Sequence, residues 1–91
     1  MLGENHPDYA KSLNNLAGFY EAIGNYEKAE PMFLEALRIR REVLGENHPS
    51  YATSLDNLAG LYQEIGSCVK AEPMYLEAMR IRKEILERKS S

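Results

Sequence analysis

The chain has a single cysteine, no tryptophan and no long uninterrupted run of apolar residues. The lone Cys68 excludes an intramolecular disulfide framework and fits a reducing compartment, which we interpret as the cytoplasm. No apolar stretch approaches the roughly 18 residues that a membrane-spanning helix needs. The N-terminus also lacks the basic and apolar regions of a secretory signal. The sequence therefore predicts a protein that does not act in a membrane.

Basic charge is scarce as well, because 11 lysines and arginines stand against 14 acidic residues, for a formal net charge of -3. Nucleic-acid affinity comes mainly from clustered basic side chains that neutralise phosphates, so a nucleic-acid partner is disfavoured. The composition is 44% hydrophobic and 27% charged, which is typical of a helix-rich globular chain. Its 91 residues make one small domain.

What the chain does have is an internal repeat, since the string LGENHP begins at Leu2 and again at Leu44. Of the 42 aligned positions, 29 are identical. A fixed period of this size predicts a solenoid, whose units stack and present a surface. We divide the single segment 1–91 into repeat one (2–43), repeat two (44–85) and a tail (86–91) that opens a third copy. Two repeats are fewer than the roughly three that usually make a stable solenoid, so we expect a fragment of a longer array.

The hydrophobic pattern within each repeat has the period of an α-helix rather than that of a strand. Pro7 suits a first helical turn, Asn5 or His6 can cap it, and Gly24 can end it. We expect an all-α antiparallel helix-pair solenoid of two repeats and four helices, near 7–23, 26–44, 49–65 and 68–88. The buried stripe predicted for the first helix consists of Leu13, Leu16, Ala17 and Tyr20.

These residues resemble a known family. The spacing Leu13-x2-Leu16-Ala17-x2-Tyr20, followed by Ala29-x3-Phe33-x2-Ala36, resembles the tetratricopeptide repeat, and the second unit matches in the same way. The usual repeat runs about 34 residues, whereas this one runs 42. The longer period, the LGENHP linker and the string SLNNLAGFYEAIGNYEKAEPMFLEAL are similar to the kinesin-light-chain type. The resemblance covers almost the whole chain.

The resemblance implies a protein-binding scaffold in which the first helix of each repeat lines a concave groove. It implies that Asn15 and Asn57 face an extended peptide, whose backbone an amide can bind as both donor and acceptor. The alternative is that each asparagine bonds a neighbouring helix or meets solvent. Gly18 and Gly60 would leave the groove floor open. The other residues predicted to line the groove are Lys11, Asn14, Glu21, Thr53, Asp56 and Gln63.

No constellation of residues indicates catalysis, a cofactor or a metal site, so we predict that the protein is not an enzyme. His6 and His48 each precede a proline without a second ligand nearby, which favours a capping role. Cys68 stands in repeat two where repeat one has Tyr26, and we interpret it as a packing residue. The late-helix arginines alternate with glutamates, which predicts a solvated, salt-bridged face.

A second hypothesis for the function is self-association. A two-repeat piece leaves the apolar faces of its first and last helices uncovered, and such faces drive association. Molecules would then stack end to end or exchange helices, forming a homo-oligomer.

Overall fold

The computed structural model describes residues 5–90, except for the side chain of Ser90. The described residues form four α-helices and no strand. The predicted helix bounds agree with the structure to within two residues. In chain order the helices are α1 (Pro7–Ala22), α2 (Tyr26–Leu44), α3 (Pro49–Ile65) and α4 (Cys68–Ser90).

The first helix of each repeat begins in the same way, with a proline in its first turn and a histidine at its N-cap. The Nδ1 atom of His6 accepts a hydrogen bond from the backbone N–H of Asp8 at 3.0 Å. His48 accepts one from the N–H of Ser50 at the same distance. The predicted capping role of both histidines is therefore confirmed, and each cap satisfies an amide that the helix leaves without a partner.

Short turns within each repeat reverse the chain so that consecutive helices pack side by side. Gly24 and Gly66 have φ of 80° and 95°. A residue with a side chain would be strained in this backbone conformation, which explains glycine at both positions. Asn25 then caps α2, because its Oδ1 atom accepts from the N–H of Lys28 at 3.4 Å. These local signals set the helix pairs before any contact between repeats is considered.

The four helices form a thin slab with principal extents of 44 × 39 × 16 Å. Each helix packs on the next, and α1 also approaches α3, whereas α2 and α4 do not meet within residues 5–90. The first helices are thus closer together than the second helices, which makes the α1/α3 side the concave one. Three alanines of the first helix pair are fully buried: Ala17, Ala29 and Ala36.

One part of the predicted buried stripe is wrong. Leu16 is 42% exposed, although its counterpart Leu58 in repeat two is fully buried. The reason is that α3 lies between α2 and α4, whereas no helix among the described residues packs on the outer side of α1. The expectation that Cys68 packs in the place of Tyr26 is wrong for the same reason, because Cys68 is exposed on the outer side of repeat two.

Candidate peptide-binding surface

The residues predicted to line the groove lie on α1 and α3, the two helices of the concave side. Four of them are exposed, namely Lys11, Asn15, Thr53 and Gln63. The other four are half-buried, namely Asn14, Glu21, Asp56 and Asn57. Their arrangement in two parallel rows follows from the 42-residue repeat, which places matching positions of α1 and α3 side by side.

The two asparagines singled out for peptide contact have side chains that the fold leaves available. Asn15 is exposed and Asn57 is half-buried, and within the described part of the chain neither amide takes part in a side-chain hydrogen bond. The alternative that each amide bonds a neighbouring helix is therefore not what the structure shows. Their contact with a peptide stays a prediction.

The neighbouring pair, Asn14 and Asp56, has different surroundings from those expected of groove residues. Both amide atoms of Asn14, Nδ2 and Oδ1, are buried and have no hydrogen-bond partner among residues 5–90. The Oδ2 atom of Asp56 instead forms an ion pair with Nη1 of Arg82 at 2.7 Å. In this conformation the Asn14 amide is inaccessible to a partner, whereas Asp56 is paired through one oxygen and partly exposed, so the groove role of both stays a prediction.

The floor of the groove is open in repeat one and partly covered in repeat two. Nothing lies within 4 Å of the place where a Cβ atom on Gly18 would stand. The equivalent place on Gly60 lies 3.6 Å from the hydroxyl of Tyr75. That hydroxyl donates to Oε1 of Gln63 at 3.0 Å, which holds the Gln63 amide at the edge of the groove. Thr53 donates to the carbonyl of Pro49 at 3.1 Å within its own helix.

Glu21 is the predicted groove residue that the fold brings against a charged group of the other repeat. It lies beside Glu64 in a pocket of about 400 Å³ at the junction of α1 and α3. Burial raises the pKa of Glu21 to about 7, and a hydrogen bond and repulsion from Glu64 act in the same direction. The hydroxyl of Tyr26 donates to Oε2 of Glu64 at 3.3 Å. The pocket is therefore acidic and holds two carboxyl groups that resist ionising together.

Sequence reasoning missed both Glu64 and Tyr26 as members of this surface. Glu64 stands where repeat one has Ala22, and Tyr26 stands where repeat two has Cys68, so neither belongs to a repeating pair. The available signal was the set of positions at which the two repeats differ. That signal alone does not say which of them face each other across the junction.

The arginines of α2 and α4 confirm the predicted salt-bridged face at one position of each repeat. Arg38 pairs with Glu35 at 2.6 Å and with Glu42 at 2.9 Å, and the hydrogen bond from Arg38 holds the pKa of Glu35 below its usual range. Arg80 pairs with the matching glutamates of α4. Arg40 departs from the prediction, because it is half-buried and reaches α3. Burial lowers its pKa.

Within 5–90 no group of three or more histidine, cysteine or acidic side chains is placed to hold a metal ion. In that part of the chain no helix has the length and apolarity needed to cross a membrane.

The helix pairs and their two-row concave surface define the class of the protein, which is a helical-repeat scaffold. A family model described as tetratricopeptide repeat matches residues 8–84. The chain therefore belongs to the tetratricopeptide repeat family, whose repeats generally mediate protein–protein interactions and form a non-enzymatic scaffold. No curated protein matches the chain.

Proposed function

We propose that the surface formed by α1 and α3 binds an extended peptide segment of a partner protein. The observation that carries the proposal is the pair Asn15 and Asn57, which occupy matching positions of adjacent first helices and whose side-chain amides make no hydrogen bond among the described residues. An amide offers a donor and an acceptor together, which suits the backbone of an extended chain. Two such amides in register would hold the peptide without requiring particular side chains.

Charged residues along the same surface would set which peptides are preferred. Lys11 is exposed on α1, whereas Glu21 and Glu64 form the acidic pocket near the C-terminal ends of α1 and α3. A cationic side chain in that pocket would separate the two carboxyl groups and favour their ionised forms. We therefore expect preferred peptides to carry a lysine or arginine near one end and to avoid acidic residues there.

The test begins with peptides selected from a random library on the immobilised 91-residue chain, because no natural ligand is assumed. The affinity of a selected peptide is then measured for the double variant Asn15→Ala, Asn57→Ala by isothermal titration calorimetry. We expect a loss of at least about tenfold, the effect of removing two hydrogen-bonding groups. The melting temperature should stay nearly constant, because neither amide supports the fold.

The matched control is Asn47→Ala, which removes an exposed amide from the linker between repeats. It should leave peptide affinity unaltered. If the double variant binds as tightly as the unchanged chain, Asn15 and Asn57 are not part of the site. If the selected peptides bind to residues outside α1 and α3, the surface formed by these two helices is not the binding site.

Self-association is a second candidate function, and a specific observation favours it. Both ends of the slab expose large apolar side chains, among them Phe19 at 57% and Met79 at 62%. Exposed apolar area of this kind commonly marks an interaction surface. Sedimentation velocity across a concentration series tests the idea directly, because a strict monomer at every concentration would contradict it.

We also propose that the protein belongs to the kinesin-light-chain type of tetratricopeptide repeat and acts in the cytoplasm. The 42-residue period supports the subtype, and the single cysteine supports a reducing compartment. Fractionation of cells that express the protein tests the location, and recovery in an oxidising compartment would contradict it.

A further inference from the structure

The outer faces of α1 and α4 repeat the two surfaces that already pack against each other inside the molecule. We define each face by residues that are more exposed than their counterparts one repeat away. The α1 end face consists of Tyr9, Ser12, Leu16 and Phe19. The α4 end face consists of Tyr75, Met79, Arg82 and Leu86.

The counterparts of the α1 end face are buried against repeat one. Leu16 is 42% exposed and Phe19 is 57% exposed, whereas their equivalents on α3, Leu58 and Leu61, are fully buried. Ser12 is exposed, but its counterpart is fully buried. The side chains of α1 are thus suited to the environment that α2 gives to α3.

The α4 end face has the same relation to α2. Tyr75 is 38% exposed, and its equivalent Phe33 is 3% exposed in the cluster that joins the two repeats. Met79 is 62% exposed, whereas its equivalent Leu37 is partly buried against the same cluster. The surface that α2 presents to α3 therefore recurs on α4 without a helix of the described residues to cover it.

The polar contacts of the internal junction also have their partners at the two ends. Inside the molecule, Arg40 donates from Nη1 to Oγ of Ser54 at 3.0 Å and to the carbonyl of Ser50 at 3.2 Å. The hydroxyl of Tyr62 donates to Oε2 of Glu30 at 2.7 Å. One repeat away, the equivalents of Arg40, Ser54 and the Ser50 carbonyl are Arg82, Ser12 and the Asp8 carbonyl. The equivalents of Tyr62 and Glu30 are Tyr20 and Glu72, so the donors and acceptors of both contacts are retained.

The positions that differ compensate for one another in size. Phe19 is larger than its equivalent Leu61, so a junction between two molecules would need extra room on the opposing face. Cys68 is smaller than its equivalent Tyr26, which packs against the cluster that contains Leu61. The α4 side accordingly has an apolar hollow of about 280 Å³ beside Cys68. The hollow offers room for the larger ring.

The charged pair of the internal junction is absent from the equivalent intermolecular one. Inside the molecule Glu21 and Glu64 oppose each other across the two repeats. One repeat away, the same two positions are Gln63 on the first molecule and Ala22 on the second. A junction between molecules would therefore avoid the repulsion that the internal junction contains.

We propose that the α4 end face of one molecule binds the α1 end face of a second copy in the register of the α2–α3 junction, so that copies stack head to tail into a continuous slab. This inference rests on the second proposed function and adds to it a partner face, a direction and a register. Contacts of this heterologous kind leave both outer ends open, so the assembly grows with concentration instead of closing.

Arg82 changes partner in the proposed assembly. In the single molecule Arg82 pairs with Asp56 at 2.7 Å, whereas its equivalent Arg40 turns away from Asn14 toward α3. Two features separate the arginines: Arg40 has α3 beside it, whereas no helix of the described residues covers the outer side of α4, and a carboxylate holds a guanidinium more strongly than a neutral amide does. Asp56 therefore competes with the second copy for Arg82, and it weakens stacking.

The direction of stacking is tested by blocking one face at a time. Phe19→Glu places a charge on the α1 end face and Met79→Glu places one on the α4 end face, both at exposed sites. We expect the unchanged chain to grow in mass with concentration in sedimentation velocity, each variant alone to be monomeric, and an equimolar mixture to stop at a heterodimer. Circular dichroism checks that both variants stay helical.

Each other outcome of that experiment overturns a defined part of the proposal. If each single variant still forms a homodimer, the two copies meet through like faces and the head-to-tail direction is wrong. If the mixture stays monomeric although the unchanged chain associates, the α4 end face does not bind the α1 end face and head-to-tail stacking is wrong. If the unchanged chain is monomeric at every concentration, self-association itself fails together with this inference.

A second variant keeps the register testable if either blocked variant fails to fold. Asp56→Asn reproduces the residue pair of repeat one and releases Arg82, so we expect association to tighten by about two- to fivefold. Glu27→Gln is the matched control, because it removes the same charge from an exposed site on α2 that belongs to neither end face. Equal effects of the two variants, or weaker association with Asp56→Asn, would overturn the role of Arg82 and the register.

Discussion

Repeat one and repeat two share 29 of 42 aligned residues, yet identical side chains differ widely in burial. Leu58 and Ser54 of α3 are fully buried, whereas Leu16 and Ser12 of α1 are exposed. The sequence of each helix fixes which side chains lie on a given face. The neighbouring helix decides whether that face is covered, because in a solenoid each unit contacts mainly the next one.

The polar contacts show the same difference. Arg40 crosses to α3 and hydrogen-bonds there, whereas Arg82 folds back onto Asp56 within its own repeat. The same residue type at the same repeat position thus supports the junction in one case and is held in an ion pair by Asp56 in the other. Stability should therefore be distributed unequally over the two copies.

The largest expected effect comes from truncating the matched leucines. Leu58→Ala should lower the free energy of unfolding by about 2–5 kcal/mol, because it removes fully buried methyl groups and leaves a cavity. Leu16→Ala should lower it by about 1 kcal/mol or less, since the side chain is 42% exposed. Urea unfolding followed by circular dichroism at a concentration where the chain is monomeric measures both. Equal losses would mean that the two faces are equally covered in solution.

A smaller effect should separate the matched arginines. Arg40→Ala should lower the free energy of unfolding by about 1–3 kcal/mol, because it removes hydrogen bonds to Ser54 and to the carbonyl of Ser50 at the buried junction. Arg82→Ala should lower it by about 0–1 kcal/mol, since its ion pair is partly exposed and screened by solvent. The same denaturation assay compares the two. A larger loss at Arg82 would contradict the asymmetry of the two junctions.

The helices and their ends could be predicted from the sequence because their signals are local. A proline after a histidine starts α1 and α3, and Gly24 and Gly66 end them wherever the repeats are placed in space. The exposed position of Asn15 follows from helix periodicity in the same way. The histidine and proline at the helix starts and the glycines at the helix ends recur in both copies, so each copy supports the prediction made for the other.

The contacts across the junction could not be predicted, because they depend on how far one repeat is rotated and shifted against the next. Glu21 meets Glu64 although the two are not at matching repeat positions. The surroundings of Asn14 and Asp56 likewise depend on the direction of a long arginine side chain in each repeat. Arg40 reaches α3 instead of Asn14, whereas Arg82 pairs with Asp56. Periodicity places a residue on a face, but it does not choose the partner of its side chain.

The smallest expected effect is a pH dependence of stability that arises from Glu21. Its counterpart in repeat two, Gln63, does not titrate and contributes none. The pKa of Glu21 is raised from its ordinary 4.5 to about 7 by burial first and then by Glu64. Between those pH values the folded chain binds more protons than the unfolded chain, so stability falls as pH rises through that window. Glu21→Gln should remove the decline and raise stability at pH 8 by less than about 1 kcal/mol, because the pair is partly solvent-screened.

Glu35→Gln is the informative comparison, because its expected effect has the opposite sign. The hydrogen bond from Arg38 lowers the pKa of Glu35, so this carboxylate stabilises the fold above its unfolded pKa and loses that effect as pH falls. Melting curves from about pH 2 to about pH 8 should therefore show Glu35→Gln falling behind the unchanged chain as pH rises toward 4.5, and Glu21→Gln gaining on it between pH 4.5 and about 7. If the stability of both variants relative to the unchanged chain shifts in the same direction with pH, Glu21 and Glu64 do not oppose each other in solution. The junction between repeats then carries no repulsion that an intermolecular contact would avoid.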